Sequence, residues 1–507
     1  MSSLSAPAPD VNRVGKIEAR GIEYVEPRDR IGRVRDLFSV FFAAEFCYAI
    51  MFFGALPLAF GLGWWSSVAA ITVGLAVGSL VFAPMALFGP RTGTNSTVSS
   101  VAHFGVLGRI VGSAATQLTA FIFVILTLWT GGSALEAGFH RLIGTPTGTL
   151  WLVLGIVVIW LLTTALTVLG HATLVANFKF VALTCGVVIL AMIPVFASHF
   201  HAVPNSGEYA LGSFWPTWIL AATIAASVPI SYGPVANDYA RYVPASASAR
   251  SVFLSSFGGM FIGCWIALVI GAFVTAAFTK PDPAGDFVHG LMASSPLWFV
   301  IFLIYAGVFG NVANGALALY NATLDLHAIV WRLRRVWVAV IVGAVAFAGT
   351  ILGTVVWDGV STLEALLSVM IVTVAPWMLI NTIGYLHCGG NYRALDLHAF
   401  TWDGSDGRGA YWFAGGLEIR AFVAWIVAVA VGMLFIATTL ITGPLVKHVG
   451  GMDFSFLTSL VAGGLVYELL LRLTPLAVVD HRPDPLAVRP TAADGDVAVA
   501  GPTATSI

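Results

Sequence analysis

Charge is what this chain of 507 residues has little of: Asp, Glu, Lys and Arg make up 10% of it, against 58% hydrophobic residues and a mean hydropathy of +0.90. Soluble domains carry about a quarter charged residues, so this composition excludes a string of soluble domains and implies a polytopic membrane protein. The net charge of −1 is spread over loops and tails, and nothing indicates a nucleic-acid partner. Cysteine is scarce too. Cys47, Cys185, Cys264 and Cys388 lie in or beside apolar runs without close pairing, which leaves neither a disulfide framework nor a metal-ligand spacing. No metal centre and no resident cofactor are expected. His171, His201, His289 and His387 fall in different loops, so the clustered His, Asp or Cys of a polytopic membrane enzyme is missing and that class stays a remote alternative. No apolar core precedes Phe38. A signal peptide is therefore not expected, and the first span acts as its own insertion signal.

What the chain does have is long apolar runs, and about 20 residues suffice to cross ~30 Å of hydrocarbon. Twelve such runs occur, at roughly 37–61, 65–88, 110–133, 149–169, 177–198, 213–236, 252–278, 297–322, 335–356, 362–386, 419–441 and 454–474. An even number puts both tails on one side of the bilayer. Of the 24 Lys and Arg residues, all but Arg141, Lys280 and Lys447 then fall on the tail side, which predicts that both termini are cytoplasmic. The expected organisation is a disordered cytoplasmic tail over 1–36, a transport core of spans 1 to 10 over 37–386, a cytoplasmic loop over 387–418, spans 11 and 12 over 419–474, and a second disordered cytoplasmic tail over 475–507. The last tail is rich in Pro, Ala and Asp and holds too little apolar surface to fold. The loop is rich in glycine and Asp-Gly turns, with an amphipathic or interfacial patch expected around Leu395 to Trp402. No feature points to an oligomeric state.

The first span, FSVFFAAEFCYAIMFFGALPLAFG over 38–61, carries Glu45 in its first half. An acidic residue at a helix centre costs roughly 2.5–3.5 kcal/mol on translocon scales, so such a group normally faces a wet cavity or a partner and marks a pathway. Small residues, Ala43 and Ala44, precede it, and Gly54 and Pro57 follow. The helix can therefore be closely packed or broken, and a break frees carbonyls for a cation and amides for a polar substrate. Ala43, Glu45 and Phe46 are the candidate site for the coupling cation or proton. The competing reading is that Glu45, seven residues into the span, snorkels to the interface.

Three other spans carry candidate residues. In span 3, Trp129 is followed by Gly131, Gly132 and Ser133; an indole beside two glycines can offer a flat face to a planar ligand, or it is an interfacial anchor. Span 6 ends in SVPISYGPVANDYARYVP, where Pro229, Gly233 and Pro234 should kink or unwind the helix beside Ser231 and Tyr232. Asp238 and Arg241, three apart, are placed to pair at its end in a structural or gating role. Span 8 holds Asn311, Asn314 and Asn321. Positions 311 and 314 share a face, and their carboxamides suit the edge of an amide heterocycle, or else they join helices.

Along most of residues 25 to 475 the chain resembles the nucleobase:cation symporter-1 family, in particular its purine and cytosine permease branch. The resemblance rests on FFAAEFCYAIMFFGALPLAFGLGWW in span 1, FGPRTGTNSTVSSVAHFGVLGR between spans 2 and 3, NDYARYVP at the end of span 6, GNVANGALALYNATLDL in span 8 and YWFAGGLEIRAFVAW before span 11. It implies an all-α fold of twelve transmembrane helices: a LeuT-like 5+5 inverted repeat in which spans 1–5 and 6–10 have opposite topology, plus two appended helices. It also implies a planar base held between an aromatic of span 3, matched by Trp129, and one of span 6, for which Tyr232 is nearest. Polar groups of spans 3, 6 and 8 surround the base; Ser133, Ser231, Asn311 and Asn314 stand in those places. The chain departs from the pattern at Glu45, where such permeases more often have Asn, and at Asn381, where Asp is expected. Sodium-coupled members use span 8 hydroxyls with span 1 carbonyls, yet no Ser or Thr occurs from Phe302 through Ala322.

The expected function is secondary active import of a nucleobase or related planar heterocycle of the cytosine, purine, allantoin or hydantoin class. Cation symport drives it across the cell membrane, with H+ as the expected coupling ion and Na+ as the alternative. A sodium-coupled transporter of another small solute, a vitamin or an amino acid, on the same fold is the competing reading.

Overall fold

The computed structural model describes residues 24–474 apart from 170, 281–285, 330–332, 334, 356–358 and 402–408. Most of the N-terminal tail, the whole C-terminal tail, and the Asp403-Gly404 and Asp406-Gly407 pairs lie outside the described residues. All twelve apolar runs are built of helix, the first as two helices and the sixth with an interruption near its end. Nine helices among the described residues are long and apolar enough to span a membrane, and a tenth span is the pair Val34–Ala43 and Tyr48–Ala59, bent by 61° at its break. The helices His171–Phe196 and Ile419–Leu434 occupy the places of spans 5 and 11.

Spans 3, Arg109–Ile143, and 8, Leu297–Ile329, are the longest helices and pack together along their length. Span 2 (Trp64–Phe82) lies on span 6 (Phe214–Ser231), and span 7 (Ala249–Ala276) lies on both halves of span 1. Small residues make these contacts possible, as expected where lipid supplies no hydrophobic drive between helices. A Cβ on Gly74 of span 2 would stand 2.1 Å from the Ala222 carbonyl oxygen of span 6. One on Gly54 would stand 1.8 Å from the Leu268 carbonyl oxygen of span 7, and one on Gly271 would stand 2.0 Å from that of Met51.

The break of span 1 therefore falls elsewhere than the glycine and proline suggest. Gly54 and Pro57 both sit inside the continuous helix Tyr48–Ala59, Gly54 as a packing residue. In span 6, by contrast, the proline and glycine act where they stand. The α-helix stops at Ser231, a 3-10 turn covers Gly233–Val235, and a short helix Ala236–Ala240 continues the same direction.

Two other expectations are corrected. Residues 24–33, assigned to the disordered tail, are packed: Val25 and Arg30 are buried, and Arg30 donates to the Val25 and Pro90 carbonyls, each at 2.9 Å. Their polar composition hid a segment ordered by hydrogen bonds rather than by apolar area. The patch at Leu395–Thr401 is not an interfacial surface. Leu397 and Ala399 are buried against Val98, Val101 and Tyr411, so the loop docks on the 2–3 connection of its own chain.

At the opposite end of the bundle, the helix Phe287–Ser294 starts on Asp286, whose Oδ1 accepts from the amides of Val288 and His289. His289 Nε2 meets Glu136 Oε2 of span 3 at 2.6 Å, and its Nδ1 lies 3.2 Å from Asp286 Oδ2. Burial works against the imidazolium, but the two carboxylates outweigh it and push its pKa up to about 10. A histidine raised in the folded state contributes stability that is fully present below its unfolded value of about 6.5, and that stability is lost as pH rises through about 10. The melting temperature of the purified protein should accordingly fall over that interval, and His289→Gln should flatten the fall. An unchanged pH profile in the variant would show that the helix is held without this pair.

Candidate substrate and coupling site

No proline or glycine stands at the break of span 1, whose residues 44–47 are Ala, Glu, Phe and Cys. Broken helices leave carbonyls unsatisfied on one side and amides on the other, and here span 8 supplies groups for both. Asn314 Nδ2 donates to the Ala44 carbonyl at 2.7 Å, and Asn311 Oδ1 accepts the Ala49 amide at 3.2 Å. Tyr48 adds a 2.7 Å bond from its hydroxyl to the Leu303 carbonyl. Gly310 is what lets span 8 come so near, since a Cβ there would lie 2.7 Å from the Phe46 carbonyl oxygen. The break is thus capped from outside its own sequence.

Glu45 sits at this break and is fully buried, with no hydrogen-bond partner on either oxygen. Snorkelling is ruled out. Its stem packs toward Gly263 of span 7, where a Cβ would come within 3.1 Å of Glu45 Cγ. The polar side chains nearest its carboxyl are Cys264 and Tyr232. The backbone of Ala43 and Phe46 is engaged locally through a long 3.5 Å contact from Phe46 N to Ala43 O.

Beside the two interruptions lies a narrow cavity of about 30 Å³. Span 3 lines it with Thr116, Thr119, Ala120 and Phe123, span 6 with Ser231, Tyr232 and Val235, and span 8 with Asn314, Leu317, Ala318 and Asn321. Spans 3 and 8 present the same i, i+3, i+4, i+7 face, one stripe of a helix. Tyr232 joins the cavity to the break, because its hydroxyl accepts from Asn314 Nδ2 at 3.1 Å while the same residue faces Glu45. Asn321 Oδ1 accepts from the Tyr239 hydroxyl at 3.2 Å. That bond orients the carboxamide so that its amide nitrogen remains for the cavity.

Of the residues singled out in the sequence, Ser231, Tyr232 and Asn314 meet here. Trp129 and Ser133 do not. Trp129 packs edge-to-face on Phe52, with ring centres 5.6 Å apart, and lines a different, roomier cavity of about 180 Å³ with Gly349, Thr350, Leu363 and Leu366. The glycines beside it open no room for a ligand. A Cβ on Gly132 would stand 2.6 Å from Ile156 Cγ1, so these glycines seat span 4 against span 3. Ser133 is buried with its hydroxyl unpartnered. Asn311 uses both ends of its carboxamide, on Ala49 and on the Gly307 carbonyl, and does not line the cavity. Phe123, Thr116 and Thr119 are among the lining residues that the sequence reading did not select, and Asn321, noted in span 8, was not assigned to the site. Asn321 lies seven residues from Asn314, and that heptad spacing was the signal available.

The end of span 6 is stitched to the segment 89–100. Asp238 Oδ1 accepts from the Ser96 amide at 3.4 Å, the Asn237 amide donates to Ser96 Oγ at 3.1 Å, and Asn237 Oδ1 accepts from the Gly89 amide at 2.8 Å. Asp238 and Arg241 lie close enough for their charges to act on one another, and the Arg241 guanidinium stands over the Tyr242 ring at 5.2 Å.

A broken first span, an interrupted sixth and long third and eighth spans closing on a cavity between them define a secondary transporter of the LeuT-like inverted-repeat fold. Residues 24–459 match the sequence model of permeases for cytosine/purines, uracil, thiamine and allantoin, and the chain belongs to that family. It is a permease and not an enzyme. Among its relatives is YxlA of Bacillus subtilis (strain 168), assigned to the purine-cytosine permeases; the two are 27% identical over 470 residues, 90% of this chain and 96% of that protein. Among solved structures, the chain is similar to the nucleobase-cation-symport-1 family transporter Mhp1. Its closed, bromovinylhydantoin-bound form gives a TM-score of 0.68, covering 89% of this chain and 95% of that one, and its inward-facing form gives 0.70, covering 94% and 99%. At 18% identity both likenesses establish the fold alone.

The capping of span 1 makes Asn311 a structural residue first. Asn311→Leu leaves the Ala49 amide without its acceptor, a loss of about 1–3 kcal/mol in stability. A reduced melting temperature with an unaltered ranking of competing ligands is the expected result; an altered ranking at unchanged stability would return Asn311 to the binding site.

Proposed function

We propose that this permease imports a nucleobase or related planar heterocycle across the cell membrane by symport with protons, both tails facing the cytoplasm. The observation that carries the reading is the unpartnered, buried Glu45 at the break of span 1, connected through Tyr232 to the cavity. Phe123 and Tyr232 offer aromatic faces from spans 3 and 6, and Asn314, Asn321 and Thr119 offer polar groups from spans 3 and 8, which suits a flat molecule with polar edges. The Bacillus relative and the hydantoin-bound neighbour have partners of that chemistry in their names. The orientation follows from the arginines: Arg91, Arg109, Arg241, Arg250, Arg393 and Arg472 lie toward the tail side, and Arg141 and Lys280 lie at the other end.

Protons are favoured over sodium for two reasons. A sodium ion at the break would need the free carbonyls of span 1, yet the Ala44 carbonyl is taken by an N–H donor from Asn314. Span 8 has no Ser or Thr from Phe302 through Ala322 to complete an oxygen shell. A carboxyl buried with only a thiol and a phenol beside it is least costly when it carries its own proton, and it can release that proton once one side of the site opens.

Stacking is the first test. Phe123→Ala should weaken ligand binding by about 1–3 kcal/mol, roughly 5- to 150-fold, while Trp129→Ala should cost less. Competition for uptake of a labelled heterocycle reads both, and the reverse order would seat the ligand on Trp129. Coupling is the second. In proteoliposomes an inward proton gradient should drive uphill uptake, and Glu45→Gln should abolish it while leaving counterflow intact. Uphill uptake driven by sodium at equal pH, undiminished in Glu45→Gln, would overturn the proton assignment.

A further inference from the structure

Beyond the cavity, toward the face proposed as cytoplasmic, a carboxyl and a guanidinium are buried without being joined. Asp325 lies one helical turn past Asn321 on span 8, fully buried, with neither oxygen in an ion pair and the Thr116 hydroxyl as its nearest polar side chain. Arg109 opens span 3 two turns before Thr116; it too is buried, with Nε and Nη1 unpartnered. The two are near enough for each charge to act on the other, and Asp238 at the end of span 6 acts on Asp325 as well. No ion pair joins Arg109 to Asp325. Instead the Arg109 guanidinium stands over the Phe400 ring, 3.9 Å from its centre, in the loop that docks beside the 2–3 connection.

A buried guanidinium without a salt bridge is costly, and a buried carboxyl without one keeps its proton, so each group gains when the two are joined. A permanent structural pair would be joined here, whereas these groups are complementary, adjacent and apart. The long Arg side chain can swing without movement of the helix that bears it, and Phe400 holds it aside by a cation–π contact. We propose that Arg109 and Asp325 are the halves of a latch across the mouth of the cavity: apart while Phe400 holds Arg109, and joined when that face closes. The 396–401 segment thereby acts as the retainer of the latch. The orientation of this face rests on the reading under Proposed function; the latch itself rests on the contacts.

The test exploits two substitutions that should act in opposite directions. The reporter is Thr119→Cys, in the cavity wall, in a protein whose four native cysteines are replaced by Ala. Inside-out membrane vesicles are treated with a membrane-impermeant maleimide, and the labelling rate is read. Phe400→Ala frees Arg109 for Asp325 and should slow labelling about two- to fivefold, the factor a cation–π contact supplies. Asp325→Asn removes the acceptor of the latch and should speed labelling, as should Arg109→Gln, which serves if Asp325→Asn is not recovered folded. Phe400→Ala combined with Asp325→Asn should behave like Asp325→Asn alone. Labelling that shifts the same way in Phe400→Ala and Asp325→Asn, or stays unchanged in both, would overturn the latch. A reporter that reacts only in right-side-out vesicles would overturn the orientation instead, and the same comparison would then be read from that face.

Discussion

The site depends on two carboxamides of one helix reaching the broken backbone of another. Helix ends in a bilayer have no water to satisfy them, and each unsatisfied group costs several kcal/mol. The short gap between Val34–Ala43 and Tyr48–Ala59 would be untenable on its own. Asn314 on the Ala44 carbonyl and Asn311 on the Ala49 amide make it tenable, and Gly310 brings their helix near enough. Everything functional is placed by that contact: Glu45 is held at the gap, Tyr232 is tied to Asn314, and the cavity forms where the stripe of span 8 that begins at Asn314 faces the stripe of span 3.

On the proposed proton reading, the same contact joins the ligand to the coupling group. Asn314 reaches three things at once, namely the break, the Tyr232 hydroxyl and the cavity, so a ligand that draws on its carboxamide must disturb the cap of span 1. Tyr232 is likewise shared between the cavity and Glu45. Neither residue can respond to a ligand without altering the surroundings of the carboxyl. Coupling of this kind needs no long pathway, because one hydrogen-bonded layer separates the two sites, and both bias the same broken element.

Much of the fold was legible in the sequence, for a specific reason. In hydrocarbon every spanning segment must satisfy its own backbone, so run length alone marks the spans with little help from packing. The site was legible only in part. Tyr232 and Ser231 were found because Pro229, Gly233 and Pro234 mark their break within the same stretch. Trp129 drew attention as a large aromatic beside glycines, but those glycines answer to Ile156 and Ile159 of span 4. Phe123, one phenylalanine among 34, had nothing to distinguish it until spans 6 and 8 were placed opposite. Asn311 and Asn314 were rightly set on one face, yet a face does not say whether the partner is a ligand or a backbone.

The two breaks of the inverted repeat differ in cause, and the difference has a mechanical consequence. Span 6 is interrupted by its own residues: Pro229 lacks a donor, and Gly233 lies so close to Met378 that a Cβ would come within 2.3 Å of that side chain. That interruption persists wherever the helix goes. Span 1 carries no such residues at its gap, and its break exists through Asn311, Asn314 and Gly310 of span 8. Should the first half of span 1 swing away from span 8, the Ala44 carbonyl loses its donor and the gap is free to rewind or to take up water. Of the two, the first span is therefore the one whose shape can change during transport, and it is also the one that carries the buried carboxyl. On the proposed proton reading, a proton on Glu45 and the geometry of the break are two expressions of a single local equilibrium, because a charged Glu45 would demand the water that only an opened gap can admit.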